Sequence, residues 1–315
     1  MSWFLNRKNK KPRGLRFTLI TSTHWIRSLA LLIEQKQLTY YELYTNFGQI
    51  KRKERSEEQL TNLFGSYVMA LDYLTALHTI ANASGLDKTT LLRIAIVNWY
   101  YGIYNASQAM IWSSEGSCPE SHSKTADSWY EYILKPKKSS IPSPFHYYVS
   151  SLVEGEDEKE INETITSNIH DTTKPQNADG ARAMCASYLQ GTAAWYREQE
   201  KAKVKKAQKF QNFRTNRNQK IRDKHLNKQQ VTFLHEAYRF RGKGNYRDAA
   251  FIPYFANAIE SEEFLKDLEI ILAYFISQAF AYSHSVVQHF PAASFCADIQ
   301  QNTVLRLPEQ LKEIT

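Results

Sequence analysis

Residues 89–112 are apolar on nearly every helical side, and this stretch constrains the fold more than any other part of the chain. A helix without a polar face has to sit inside a bundle, surrounded by other helices. The chain supplies the neighbours. Ser56-Glu57-Glu58-Gln59 is a capping box, in which the Ser56 and Gln59 side chains satisfy each other's exposed backbone amides. Behind it Leu60, Leu63, Phe64, Tyr67, Leu71 and Leu74 recur at helical spacing through about Ala83. Gly85 closes that helix and Asp87 is placed to cap the next. Phe264, Leu268, Ile271, Leu272, Phe275 and Ile276 give a later helix, over residues 262–284, one continuous apolar face. With 11 Gly and 9 Pro in 315 residues, long helices with few tight turns are expected, so the fold class is all-α. The central helix also carries Asn98, Tyr101, Asn105 and Gln108 in one stripe, which must meet polar groups, water or another subunit.

The rest of the pattern predicts two helical lobes. Residues 1–16 read as a basic arm, with helices following over 24–37 and 40–49. Periodicity weakens between 113 and 178, where one short helix or strand is expected around 145–153 and an acidic run covers 154–163. The N-terminal lobe is placed at 17–155, a connector at 156–178 and a C-terminal lobe at 179–315. That second lobe opens with a helix over 180–200, which could run on into the basic segment, and continues with helices at 229–239 and 246–259. Cys118, Cys185 and Cys296 lie far apart, without metal-ligand spacing, so neither a disulfide framework nor a metal site is expected. The longest late apolar run, 270–276, falls far short of the roughly 18 residues that a membrane span needs. The expectation is a cytoplasmic protein with no membrane segment and no cofactor. No zinc-protease helix, Walker loop, dinucleotide fingerprint or serine-hydrolase elbow occurs.

Charge is the strongest functional signal. Between 201 and 228 stand 8 Lys and 3 Arg against the single acid Asp223, a local net of +10 in a chain whose total is +8. Lys201, Lys205, Lys206, Lys209, Arg214, Arg217 and Lys220 are therefore expected to neutralise phosphates of RNA or another polyanion. Phe210, Phe213 and the planar Arg214 and Arg217 could add stacking on unpaired bases. The competing expectation is a solvated helix whose positive face answers the acidic run, in the same chain or across a dimer, or docks on an acidic protein partner. A second pattern runs from Arg239 to Asp248. There Gly242 and Gly244 permit a turn, and Asn245 stands where a new helix should start. Arg239, Arg241, Lys243 and Arg247 would then surround a helix N-terminus, which attracts anions such as a small phosphorylated substrate. In the structural alternative Asn245 caps the helix, Asp248 closes the capping box and Arg247 pairs with a carboxylate. His225 shares a helical face with Arg222 and Arg217, whereas His78 reads as a hydrogen-bonded core histidine and Asp72 as buried.

The segment 93–110, with its Tyr100-Tyr101 pair followed by the small residues Gly102, Ala106, Ser107 and Ala109, resembles the aromatic, small-residue helix of HEPN-type domains. The block Asn245-Tyr246-Arg247-Asp248 is similar to HEPN relatives including the YaaC-like proteins. The resemblance covers two stretches of about twenty residues. It implies a dimeric helical protein of defence, toxin or RNA-processing systems, whose active members are metal-independent ribonucleases. Those members also carry an Arg followed, after four to six residues, by a His. This chain departs from that, since Arg217 and His225 are separated by seven residues. If RNA is cleaved, Arg222 and Arg247 are the expected phosphate stabilisers, and His225 or Tyr246 the proton carrier. The expectation is an RNA- or polyanion-binding HEPN-like homodimer, a ribonuclease effector in defence or stress. The alternative is a non-catalytic scaffold or regulatory subunit docked on an acidic protein.

Overall fold

The computed structural model describes residues 12–48, 50–85, 87–137, 140–164, 173–245, 252 and 259–314, without the side chains of 12–18, 137, 163–164 and 243–245. The chain is mostly helical. Helices α1 (Pro12–Lys36), α2 (Tyr40–Asn46), α3 (Glu57–Asn82) and α4 (Leu92–Glu115) come first. Then follow α5 (His122–Trp129, prolonged by a wide turn at Tyr130–Leu134), α6 (Glu156–Thr164), α7 (Ala178–Gln208) and α8 (Asn216–Leu226). The chain ends in α9 (Phe233–Asn245), α10 (Ser261–Val286), α11 (Ala292–Asn302) and α12 (Glu309–Lys312). Strands β1 (Tyr148–Val149) and β2 (Val231–Thr232) pair antiparallel, with Tyr148 opposite Thr232 and Val149 opposite Val231. No described helix is long and apolar enough to cross a membrane.

The all-apolar helix holds the position that its sequence demands. α4 is enclosed by α3, α9 and α10, with Trp99, Ile103, Ala106 and Met110 buried. Its entry and its neighbours are fixed by the local signals. Ser56 Oγ accepts from the Gln59 amide at 3.3 Å while Gln59 Oε1 accepts from the Ser56 amide at 3.0 Å. Asp87 Oδ1 accepts from the Thr89 amide at 3.0 Å and caps a short turn ahead of α4. Three of the four residues of the polar stripe find partners within the chain. Asn105 Nδ2 donates to the Tyr101 carbonyl at 2.7 Å, Gln108 Nε2 donates to the Tyr104 hydroxyl at 3.1 Å, and Tyr101 accepts from Arg241 at 3.1 Å.

Gly102 sets how close α4 and α10 come. A Cβ there would lie 2.6 Å from Leu272 Cδ1, inside any real carbon contact, and Leu272 is itself fully buried. Gly102→Val is therefore expected to lower unfolding free energy by about 1–3 kcal/mol, read by urea denaturation, through overpacking of a dense core.

The hydrophobic core draws on both sides of the expected lobe boundary. Trp25 of α1 stacks on Tyr188 of α7 with ring centroids 4.3 Å apart, and meets Trp99 of α4 and Phe240 of α9 edge-on at 6.1 and 5.7 Å. α10 lies against α1, α2, α3 and α4. One ion pair anchors α1 to α10: Arg27 Nη1 donates to Asp267 Oδ1 at 2.6 Å, with Glu34 and Glu263 nearby. Burial pushes the Asp267 carboxyl up to about 6 from its ordinary 3.8, against the pull of Arg27. The unfolded chain releases that proton first as pH rises. Asp267 should thus withdraw on the order of 3 kcal/mol of stability between pH about 4 and about 6. In Asp267→Asn that loss should be missing, so the stability difference between wild type and variant should shift against wild type across that window, as followed by pH-stepped denaturation.

Several expected boundaries move. Residues 12–16, expected in a basic arm, are helical and belong to α1. The helix expected over 180–200 takes the longer of its two expected courses and runs on into the basic segment, to Gln208. The turn expected at Gly242 and Gly244 is helical instead, and Asn245, expected as the cap of a new helix, is itself helical and the last described residue of α9. Phe240 and Arg241, both buried, bind that turn of helix into the core and outweigh the low helix propensity of the two glycines. Asp72 is exposed.

Candidate nucleic-acid interface

The basic segment folds into a helical hairpin. α7 ends at Gln208 and is capped by Lys209, whose left-handed backbone (φ 55°) turns the chain. Phe210 donates its amide back to the Lys205 carbonyl at 2.9 Å. Thr215 caps α8 by accepting from the Asn218 amide at 3.3 Å, and Asn218 Nδ2 braces the loop by donating to the Asn212 carbonyl at 3.0 Å. Phe213 is the pillar between the two helices. Lys205 Nζ stands 5.4 Å from its ring centre, the Arg222 guanidinium 5.6 Å, and Phe210 meets it edge-on at 6.3 Å. Each cation contributes about 0.5–1 kcal/mol at such a partly exposed ring. Leu226 is buried at the base, where its carbonyl accepts from the Leu152 amide at 3.0 Å.

His225 closes the hairpin. Its Nε2 lies 2.7 Å from Glu200 Oε2, and Lys203 Nζ donates to the other carboxylate oxygen at 2.5 Å. Burial pushes the Glu200 carboxyl up, but the hydrogen bonds from Lys203 and His225 outweigh it and hold the group below its ordinary 4.5. The tether is accordingly present at neutral pH and weakens as pH falls through that lowered value. Arg222 donates to its neighbour Asp223 at 2.6 Å. Both expected catalytic groups on α8 thus have structural partners.

The expected phosphate contacts divide sharply. Lys201 pairs with Glu198 at 2.8 Å. Lys205, Lys206, Lys209, Arg214, Arg217 and Lys220 are exposed, as are Lys224 and Lys228, and none has a carboxylate within ion-pair distance among the described residues. Within the chain, no described carboxylate of the acidic run pairs with them. The run forms α6, docked farther toward the start of α7: Asp157 pairs with the buried Arg197, Glu158 accepts from Gln190 at 3.1 Å, Glu160 from Ser150 at 2.6 Å and Glu156 from Ser151 at 2.7 Å. Glu154, ahead of that helix, acts electrostatically on Arg222 of the hairpin.

Arg239 and Arg241 part company. Arg239 donates to Thr192 Oγ1 at 2.9 Å and lies 5.7 Å over the ring of Trp195, an indole that is 41% exposed. It thereby extends the cationic surface along α7. Arg241 turns inward and is 5% exposed. Its guanidinium sits 4.9 Å from the ring centres of Tyr100 and Tyr238 and 5.6 Å from that of Tyr101. Its Nη1 also approaches His122 Nε2 at 3.3 Å, and His122 Nδ1 lies 2.9 Å from the Tyr100 hydroxyl. With Nε2 accepting from arginine, Nδ1 carries the proton and donates to Tyr100. Burial first, and the Arg241 charge second, lower the His122 pKa from 6.5. Lys243 and Asn245 lie in the last turn of α9, and Tyr246 and Arg247 fall outside the described residues.

Two residues escaped the sequence reading. His122 meets Arg241 across 119 positions of chain, a pairing that no local spacing announces. Trp195 does carry a signal: with Gln199, Ala202, Lys206 and Lys209 it forms one helical face, visible only if α7 is continuous. No family model matches the chain, and neither a curated protein nor a solved structure matches it.

Proposed function

We propose that this chain is an RNA- or polyanion-binding protein, HEPN-like in its helical build, whose ligand lies along the α7–α8 hairpin. One observation carries the reading. Lys205, Lys206, Lys209, Arg214, Arg217 and Lys220 stand exposed without ion-pair partners among the described residues, while the acidic helix of the same chain is engaged elsewhere. Crowded cations repel one another, and a polyanion relieves that repulsion while releasing its own condensed counterions. The HEPN-like character rests on segment 93–110, and a role in defence or stress follows from that resemblance alone.

Binding without cleavage is the proposal: His225 Nε2 and Arg222 are engaged within the hairpin, with Glu200 at 2.7 Å and with Asp223. A mobility shift of single-stranded RNA at low salt, followed by a denaturing gel of the same RNA, tests both halves. The expected result is a shifted and intact RNA. No shift at low salt contradicts the reading, and salt-sensitive binding to polyglutamate in its place would move the assignment to an acidic protein partner.

A further inference from the structure

The exposed face of α7 carries more than charge. Along it Tyr188 is buried, stacked on Trp25 at 4.3 Å, but from Trp195 onward the same face opens to solvent through Gln199, Ala202, Lys206 and Lys209. At about 1.5 Å per residue, Trp195 stands roughly 17 Å from Lys206 along the helix axis. Large aromatic side chains elsewhere in the core are closed off: Trp25, Trp99 and Trp129 are fully buried, and the Phe213 ring already holds Lys205 and Arg222. Trp195 is the most exposed tryptophan among the described residues, at 41%. Arg239 lies 5.7 Å from its ring centre, and Tyr196 meets it edge-on at 4.8 Å, so the indole is braced at the head of the cationic face.

We propose that Trp195 is the base-stacking platform of this surface and that the preferred ligand is single-stranded RNA, with one unpaired base on the indole and the backbone running along Lys206 and Lys209. The inference rests on the polyanion-binding reading given above and narrows its substrate class. A duplex keeps its bases stacked on one another and presents only phosphates to such a face. An unpaired strand adds a π-face that a braced indole can hold, and every base offers one. Arg239, already over the ring, adds a positive charge beside the stacked base.

The test uses the full chain with oligouridine and a blunt RNA duplex, read by anisotropy and by quenching of tryptophan fluorescence. Trp195→Ala is expected to weaken oligouridine binding about 10- to 100-fold and to leave duplex binding within about 2-fold. Trp195→Phe should restore much of the oligouridine affinity, and it should abolish the quenching seen with wild type. Lys205→Glu/Lys206→Glu should lose both ligands. If Trp195→Ala binds oligouridine as wild type does while the lysine variant loses it, the stacking inference falls and the polyanion reading stands. Wild type that binds neither nucleic acid overturns both. Oligouridine binding without any change in fluorescence, or polyglutamate bound as tightly as oligouridine, also overturns the stacking inference.

Discussion

Lys205→Glu/Lys206→Glu is expected to weaken binding of single-stranded RNA by about 100-fold at low salt, the largest effect on binding that the account predicts. Both side chains are exposed and neither is in an ion pair among the described residues, so the fold should persist, with a loss of about 0.5–1 kcal/mol from the Lys205–Phe213 contact. Each lysine–phosphate contact contributes about 0.7 to the slope of log affinity against log salt on a single strand. Loss of two contacts should flatten that slope by about 1.4, and the reversed charges should add repulsion that high salt screens. The affinity gap between variant and wild type should thus narrow as salt rises. A gap that is constant across salt would mean that the substitutions act through the fold, which circular dichroism and a melting curve would reveal independently. Lys201→Glu serves as contrast: Lys201 is paired with Glu198, so its reversal should affect binding less.

The second large effect concerns stability. Arg241→Met is expected to cost about 2–4 kcal/mol of unfolding free energy while leaving the RNA affinity of the folded protein within about 2-fold. The guanidinium lies over Tyr100, Tyr101 and Tyr238 and donates to the Tyr101 hydroxyl at 3.1 Å, all in a site that is 5% exposed. Methionine fills similar volume but leaves Tyr101 and His122 without their donor. Arg241→Lys should not rescue, because a compact ammonium cannot lie flat across three rings. The same substitution also reports on His122. Burial and Arg241 both lower its pKa, so between that lowered value and 6.5 the unfolded state binds more protons and the protein gains stability as pH rises. In Arg241→Met the Arg241 part of that slope should vanish. An RNA affinity that collapses in Arg241→Met, with stability unchanged, would place Arg241 in the interface instead of the core.

The architecture was largely legible before any coordinates. The capping box at Ser56, the glycine stop near Gly85 and the all-apolar stretch of α4 are local signals with local causes, and each appears where the pattern puts it. Errors cluster where burial outweighs local propensity. Gly242 and Gly244 read as a turn, yet the buried Phe240 and Arg241 keep α9 helical through Asn245. Asp72 reads as buried by its place among leucines, but the period of α3 turns it outward. For the candidate site, the charge excess and its residues could be named, because charge density is a property of composition. Which cations lack partners could not, since the pairs Lys201–Glu198 and Lys203–Glu200 and the docking of α6 depend on tertiary geometry. Phe213 looked like a stacking surface and turned out to be held between two cations. Trp195, outside the charged run, is the exposed ring on α7.

The most direct measurement is the affinity of the wild-type chain for single-stranded RNA by anisotropy across a series of salt concentrations. Among the described residues eight exposed cations of the hairpin have no ion-pair partner, and six of them, Lys205, Lys206, Lys209, Arg214, Arg217 and Lys220, are the expected phosphate contacts. If about three to six of them meet phosphates, log affinity should fall linearly with log salt at a slope of about −2 to −4. A slope near zero, or no binding at the lowest salt, would contradict the assignment of the α7–α8 hairpin as a polyanion-binding surface.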